Sequence, residues 1–169
     1  MGITLQKIAG GVLFALTLIV GLNIGVDMLL DALAPKPPAA PAAAAKPTEE
    51  SDKPLPQRLA AANPGNGKLI AAKCQTCHTF DQGAGTKVGP NLYGVVGRPK
   101  ASIAGFTYSD GLKKLGGSWG YDDLDTFLTK PSAFAPGTKM TFPGLPSGTD
   151  RADVIAYLRS ISPAAPALP

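Results

Sequence analysis

The sequence predicts an all-α fold: short helices joined by long glycine-rich loops, preceded by one transmembrane helix and a flexible Ala/Pro-rich tether. Three observations predict it. Nothing in the chain sustains the apolar/polar alternation of a half-buried strand. The clearest periodicity is helical, at 149–161, where Val154, Ile155, Tyr157 and Leu158 form one apolar stripe with Arg151 and Arg159 off it. The 169 residues also include 20 Gly and 17 Pro, too many for uninterrupted regular elements throughout.

The chain divides into unlike parts, and the first is 1–34. Between Lys7 and Asp27 the nineteen residues 8–26 carry no charge. As a helix they reach roughly 28 Å, close to the ~30 Å hydrocarbon core of a bilayer. The rival is a cleaved signal peptide, whose apolar region normally spans ~7–15 residues. Ala32-Leu33-Ala34 resembles a small-x-small cleavage site, but Asp27, Asp31 and Pro35 disfavour cutting there. An uncleaved single-pass anchor is therefore expected, with the lipid bilayer contacted through 8–26. Lys7 precedes the span and acidic residues follow it, which directs the remainder out of the cytoplasm. In a bacterium that means the inner membrane, with the domain on the periplasmic side.

Residues 35–64 form the second part, with eight prolines, nine alanines and no aromatic residue. Such a stretch buries too little apolar surface to offset its ordering entropy. Proline biases it toward extended polyproline II, so thirty residues reach at most roughly 90 Å. The expectation is a tether.

The third part, 65–169, holds the domain and a short Pro/Ala tail. It carries both Cys, the single His and the single Trp, and the whole net charge of +4 resides there. Asn66 is expected to cap a helix over 67–74. A second helix is expected over 108–115, closed by Gly116-Gly117. A third begins at Ser118 or Tyr121 with Asp122, Asp123 and Asp125 early, where the helix dipole favours anions, and Pro131 follows its end. The terminal helix at 149–161 starts at Thr149-Asp150.

Cys74-Gln75-Thr76-Cys77-His78 is the CxxCH pattern of covalent c-type haem attachment. Two thiols at this spacing match the two vinyl groups of one haem, and the adjoining imidazole is aimed at the iron. The rivals lack their context. A thioredoxin-like CxxC expects a βαβ setting. A zinc site wants about four ligands, and no second cluster exists. A disulfide across two intervening residues is strained. With one His in the chain, a bis-histidine haem within one polypeptide is excluded. The Met residues are Met1, Met28 and Met140, so Met140 alone lies in the domain. A lone Met is often core filler, yet this one follows the rigid turn 136–139. His/Met ligation fills both axial positions and raises the reduction potential. A closed iron passes electrons and offers no vacancy to a substrate, which favours a carrier over an enzyme.

Over about 66–161 the chain resembles the class I cytochrome c family. The resemblance is carried by CQTCH at 74–78, GPNLYGVVGR at 89–98, GFTYSDG at 105–111, Trp119, PGTKM at 136–140 and DVIAYL at 153–158. Membrane-anchored alphaproteobacterial members are closer still in layout. The resemblance implies one haem c per chain, bound through Cys74, Cys77 and His78, with Met140 as the second iron ligand. It implies that Pro90 offers its carbonyl to His78, and that Arg98, Tyr108, Ser109, Trp119 and Thr138 surround the haem propionates. Val154 and Tyr157 match the face of the terminal helix that crosses the first helix near Gly67.

Two departures stand out. Where mitochondrial members place an Asn and a Tyr beside the Met ligand, this chain has Leu112 and Phe127, implying a drier Met side. Lys68, Lys73, Lys87 and Lys139 match the family's docking lysines and Phe142 an apolar centre. Ser132, Ala133, Pro146, Ser147 and Gly148 replace lysine-rich positions, so steering toward acidic partners is expected to be weaker. Tethering raises effective concentration and would compensate.

The resemblance implies a one-electron carrier between the cytochrome bc1 complex and a terminal oxidase or photosynthetic reaction centre. An open-iron, peroxidase-like haem enzyme and a fixed cytochrome subunit of a respiratory or photosynthetic complex are the alternatives. Nucleic acid is not an expected partner, because +4 on this domain forms no basic stripe or reading motif.

Overall fold

A computed structural model describes residues 52–169. The expected anchor at 8–26 and the tether up to residue 51 lie outside the described residues. Among those described, no helix is long and apolar enough to cross a membrane.

The described residues are helical, in the order α1 (Leu55–Ala61), α2 (Pro64–Ala71), a 3-10 turn (Ala72–Cys74), α3 (Asp110–Leu115), α4 (Tyr121–Thr129), α5 (Pro131–Phe134) and α6 (Gly148–Ser160). The only strand-like pairing among them is an isolated antiparallel bridge between Pro99 and Ser118.

Helix α1 corrects the expected tether boundary, which had run to residue 64. Leu55 and Leu59 stand one turn apart, 8% and 4% exposed, and α1 packs on α6. Pro56 is tolerated because the first-turn amides have no intrahelical partner. Composition averaged over thirty residues conceals this short apolar stripe.

The cap of α2 is also corrected. The Asn63 side chain, not that of Asn66, accepts from the amides of Gly65 and Asn66, and the helix begins at Pro64. Asn66 instead donates through Nδ2 to Asp153 Oδ2 at 2.6 Å, while the Asn63 amide reaches Oδ1 at 2.7 Å. Asp153 on α6 is thus stitched to the start of α2. At their crossing, a Cβ on Gly67 would collide with the Asp153 carbonyl, so only glycine lets the helices approach this closely.

Helix α3 is capped by the Ser109 hydroxyl, which accepts from the Leu112 amide, and Gly116 and Gly117 follow at φ 62° and 64°. These positive φ angles suit glycine. Helix α4 begins at Tyr121, and Pro131 opens the short α5. Helix α6 starts one residue early, with Ser147 Oγ accepting from the Asp150 amide at 3.2 Å. Its apolar face holds Val154, Ile155 and Leu158, all buried. Arg151, expected off the stripe, is buried because its guanidinium meets Asp125 and the carbonyls of Leu145 and Pro146.

The tail is pinned as well. Tyr121 Oη donates to the Pro166 carbonyl at 2.6 Å and accepts from Arg159 Nε at 3.1 Å. The helices leave residues 75–109 and 135–147 as loops, and those loops carry the candidate site.

Candidate functional site

The attachment segment leaves α2 through the 3-10 turn that ends at Cys74. The amides of Cys77 and His78 both donate to the Cys74 carbonyl, at 3.0 and 2.9 Å, winding 74–78 into one tight turn. Both cysteines are free thiols, each half-buried. Burial, reinforced by neighbouring Cys77, pushes the Cys74 thiol up despite the opposing charge of Lys73. Among the described residues no group of three or more His, Cys, Asp or Glu side chains converges on one point.

His78 Nδ1 lies 2.7 Å from the Pro90 carbonyl oxygen. A carbonyl only accepts, so Nδ1 carries the proton and Nε2 keeps a lone pair. Burial lowers the imidazole pKa, with the Pro90 hydrogen bond opposing, and the ring stays neutral at pH 7. A neutral imidazole with Nε2 free is the form that ligates a metal.

Gly89 shows how closely the loop is laid over that ring. A Cβ there would lie 2.8 Å from Nδ1 and 2.9 Å from Nε2, and would clash with Cε1. Its own amide donates to the Cys77 carbonyl at 2.8 Å, tying the loop back to the attachment turn. Sequence reasoning gave Gly89 no role, although its place before Pro90 is a signal for close backbone approach. Asn91 was missed too. It is buried, and its amide donates to the Asp81 and Ala84 carbonyls at 2.9 and 2.7 Å, closing the loop that carries Gly89 and Pro90.

Arg98 donates to the Tyr93 and Asn91 carbonyls at 2.9 and 3.0 Å and makes no ion pair among the described residues. Burial lowers its pKa while Tyr108 opposes, and burial raises the pKa of the Tyr108 phenol while the Ile103 backbone and Arg98 oppose. A half-buried guanidinium satisfied by carbonyls alone is a ready counter-ion for a carboxylate ligand. The Trp119 amide donates to the Arg98 carbonyl at 2.9 Å, and its buried ring packs 5.0 Å from Phe127 and 6.1 Å from Phe134. Hydrogen bonds, with the peptide bond between Pro90 and Asn91, thus join His78, Pro90, Arg98 and Trp119 into one continuous assembly.

Met140 is presented from a separate loop. The turn preceding it is closed by the Thr138 amide donating to Ala135 and by the Met140 amide donating to Thr138 Oγ1, with Gly137 at φ 76°. Lys139 Nζ fastens the turn to the Thr107 carbonyl at 3.1 Å. Met140 is half-buried. Ser109 is occupied as the cap of α3.

Lys68, Lys73, Lys87 and Lys139 are exposed, Lys87 donating to the Gln75 carbonyl at 2.8 Å. Phe142 is half-buried against the core. Leu69 and Val88, unremarked in the sequence, are 72% and 79% exposed beside Lys68 and Lys87.

These features coincide with a match of residues 64–162 to the cytochrome c family model. The chain belongs to the cytochrome c family. The "Cytochrome c homolog" of Rickettsia felis is 49% identical over 113 residues, covering 67% of this chain and 65% of that protein. The "Cytochrome c homolog" of Bradyrhizobium diazoefficiens is 46% identical over 113 residues, covering 66% and 61%. Each match spans less than two thirds of the bacterial relative's length. Cytochrome c of Gossypium barbadense is 47% identical over 102 residues, covering 58% of this chain and 92% of that protein.

The residues present fit the family's cofactor, a covalently attached haem c: two free thiols at the required spacing, a neutral imidazole with Nε2 available, and a guanidinium lacking a carboxylate. The haem supplies an iron that changes oxidation state by one electron. This chain's own residues would contribute the rest: Cys74 and Cys77 would hold the group, while Pro90 fixes the imidazole tautomer and Gly89 leaves room for the ring.

Proposed function

We propose that this cytochrome c is a membrane-tethered one-electron carrier, His78 and Met140 its axial ligands, shuttling electrons from a cytochrome bc1 complex to a terminal oxidase. One observation carries the ligand assignment. The single His of the chain donates Nδ1–H to Pro90, which leaves Nε2 as the nitrogen that would meet the iron, and the sequence offers no second histidine to join it. Met140, at the tip of its hydrogen-bonded turn, supplies a thioether of the kind that closes the iron and raises its potential. A closed iron makes the protein a carrier and not an enzyme. Arg98, Tyr108, Ser109, Trp119 and Thr138 receive the haem carboxylates. Lys68, Lys73, Lys87 and Lys139 around Phe142 meet an acidic partner surface.

The uncharged span 8–26 supports anchoring in the inner membrane, with the haem domain on the periplasmic side. The test combines membrane fractionation, a haem-stained gel and the mass of the intact amino terminus. Haem in the membrane fraction on an uncleaved chain is the expected result. A soluble, shortened chain overturns the anchor. The weak red absorption band of ferric haem with Met sulfur tests Met140, and its absence would open the iron to peroxidase-like chemistry.

A further inference from the structure

The ion pairs of lysine among the described residues differ sharply. Lys113 and Asp110 lie 3.6 Å apart with side chains 54% and 87% exposed, a solvated pair of little consequence. Lys100 and Asp123 lie 2.7 Å apart, and the Lys100 side chain is only 8% exposed against 38% for Asp123. Withdrawing an ammonium from water this far is costly, and a lysine turned outward would avoid the cost.

The placement of that ammonium is informative. Lys100 Nζ sits 5.6 Å from the centroid of the Trp119 ring, within cation–π range, and donates to the Gly116 carbonyl at 3.2 Å. Its backbone belongs to a short antiparallel contact. The Gly97 amide donates to Trp119, the Trp119 amide to Arg98 and the Lys100 amide to Gly117, each at 2.9 Å. Arg98, two residues away, donates to Asn91, the neighbour of the Pro90 that holds His78. Two cations therefore rise from one four-residue segment hydrogen-bonded through to the imidazole. Asp123 is the only carboxylate paired with either among the described residues.

We propose that Lys100 is a positioning residue for the haem site, fixing the Trp119 ring and, with Arg98, setting a positive field that favours the reduced iron. This rests on the one-electron reading of the site. When the iron accepts an electron from an external donor, the charge of the site falls by one, and a fixed cation nearby stabilises the product relative to the reactant. Asp123 opposes that field only in part. It is several times more exposed than Lys100, and water screens its charge more strongly.

The test is a spectroelectrochemical titration of the haem-loaded protein, with dithionite as reductant and ferricyanide as oxidant. Lys100→Met is expected to shift the ferrous/ferric equilibrium constant several-fold toward the ferric form, because Asp123 is then left uncompensated. Asp123→Asn is expected to shift it the other way, and the solvated control Lys113→Met to leave it unchanged. A scaffolding role alone would lower the thermal midpoints of Lys100→Met and Asp123→Asn together without splitting the sign of the potential shift. Shifts of the same sign, or none beyond that of Lys113→Met, would overturn the proposal. If Lys100→Met fails to fold, Asp123→Asn against Lys113→Met decides it. A wild-type protein with no reversible one-electron couple would overturn the carrier reading itself, and this proposal with it.

Discussion

Arg58 grips Asp125 through both terminal guanidinium nitrogens, Nη1 to Oδ1 at 3.0 Å and Nη2 to Oδ2 at 2.9 Å. Arg151 Nε reaches the same Oδ1 at 2.8 Å. One carboxylate thereby joins α1, α4 and α6. The surplus donors are absorbed by the carbonyls of Lys53 and Gly148 on the Arg58 side and of Leu145 and Pro146 on the Arg151 side. Bidentate geometry and low exposure make this clamp stronger than a surface pair.

Replacing Asp125 with Asn should therefore lower the unfolding free energy at pH 7 by about 3 kcal/mol, since two buried guanidinium groups lose their counter-charge. Burial alone would raise the Asp125 pKa, but hydrogen bonds and charge from Arg58 and Arg151 outweigh it and hold it below the ordinary carboxylate value. A depressed folded pKa gives stability that is fully present above the unfolded value of ~3.9 and lost as pH falls through the folded one. Urea titrations from pH 7 down to pH 3 should show the gap between wild type and Asp125→Asn closing on the acid side. A gap that stays constant would mean that the charge of Asp125 is not what matters.

Leu59 offers a second measurement on the same helix. At 4% exposure its truncation to Ala should cost about 3 kcal/mol. Gln57, exposed one turn-face away, should tolerate Ala within ~0.5 kcal/mol. Equal, negligible effects at both positions would mean that the segment is solvated chain and not part of the domain.

What could be read from residue order alone follows the range of the interactions. CQTCH is local chemistry, and the terminal helix declares itself through Val154, Ile155 and Leu158. The α2 cap was misplaced by three residues because Asn63 and Asn66 are both good caps, and the arbiter, Asp153, lies 87 residues from Asn66. Arg58 and Asp125 are 67 residues apart, and no local pattern pairs them. Helix α1 was hidden because proline and alanine dominate its surroundings, while only Leu55, Arg58 and Leu59 of it are buried. Gly89 and Asn91 were visible as letters of a motif, but what each touches is a matter of three dimensions.

Gly89→Ala should weaken haem ligation severely, because the added methyl would occupy the space of the His78 imidazole. Gly85→Ala is the matched control, since a Cβ there meets nothing within 4 Å. Haem content per chain and the ferric absorption spectrum are the readouts. Normal ligation in Gly89→Ala would mean that the loop moves aside at little cost.

Phe127 packs 5.0 Å from Trp119 and 5.7 Å from Phe134, edge-on to the latter. Its match to a tyrosine position beside the Met ligand motivates Phe127→Tyr. A hydroxyl donating to the Met140 sulfur should raise the midpoint of the alkaline transition of the ferric protein by about half a pH unit, the equivalent of one net hydrogen bond of under ~1 kcal/mol. Loss of the red ligand band with rising pH measures it. An unchanged midpoint would exclude a drier Met side as a determinant of ligand exchange.

Helix α1 also bears on where this protein can be cut. The family match begins at residue 64, three positions after α1 ends. Trimming there would strip Asp125 of its bidentate partner, remove the Arg58 donor to the Gly148 carbonyl and expose the surface of α6 that α1 covers. The portion that folds as a unit therefore begins earlier than the portion that the family model matches. The difference shortens any leash attached upstream: the ten or so residues taken up before residue 64 remove about 30 Å of extended reach. Residues 55–61 serve the domain as a helix and are not available as extended chain.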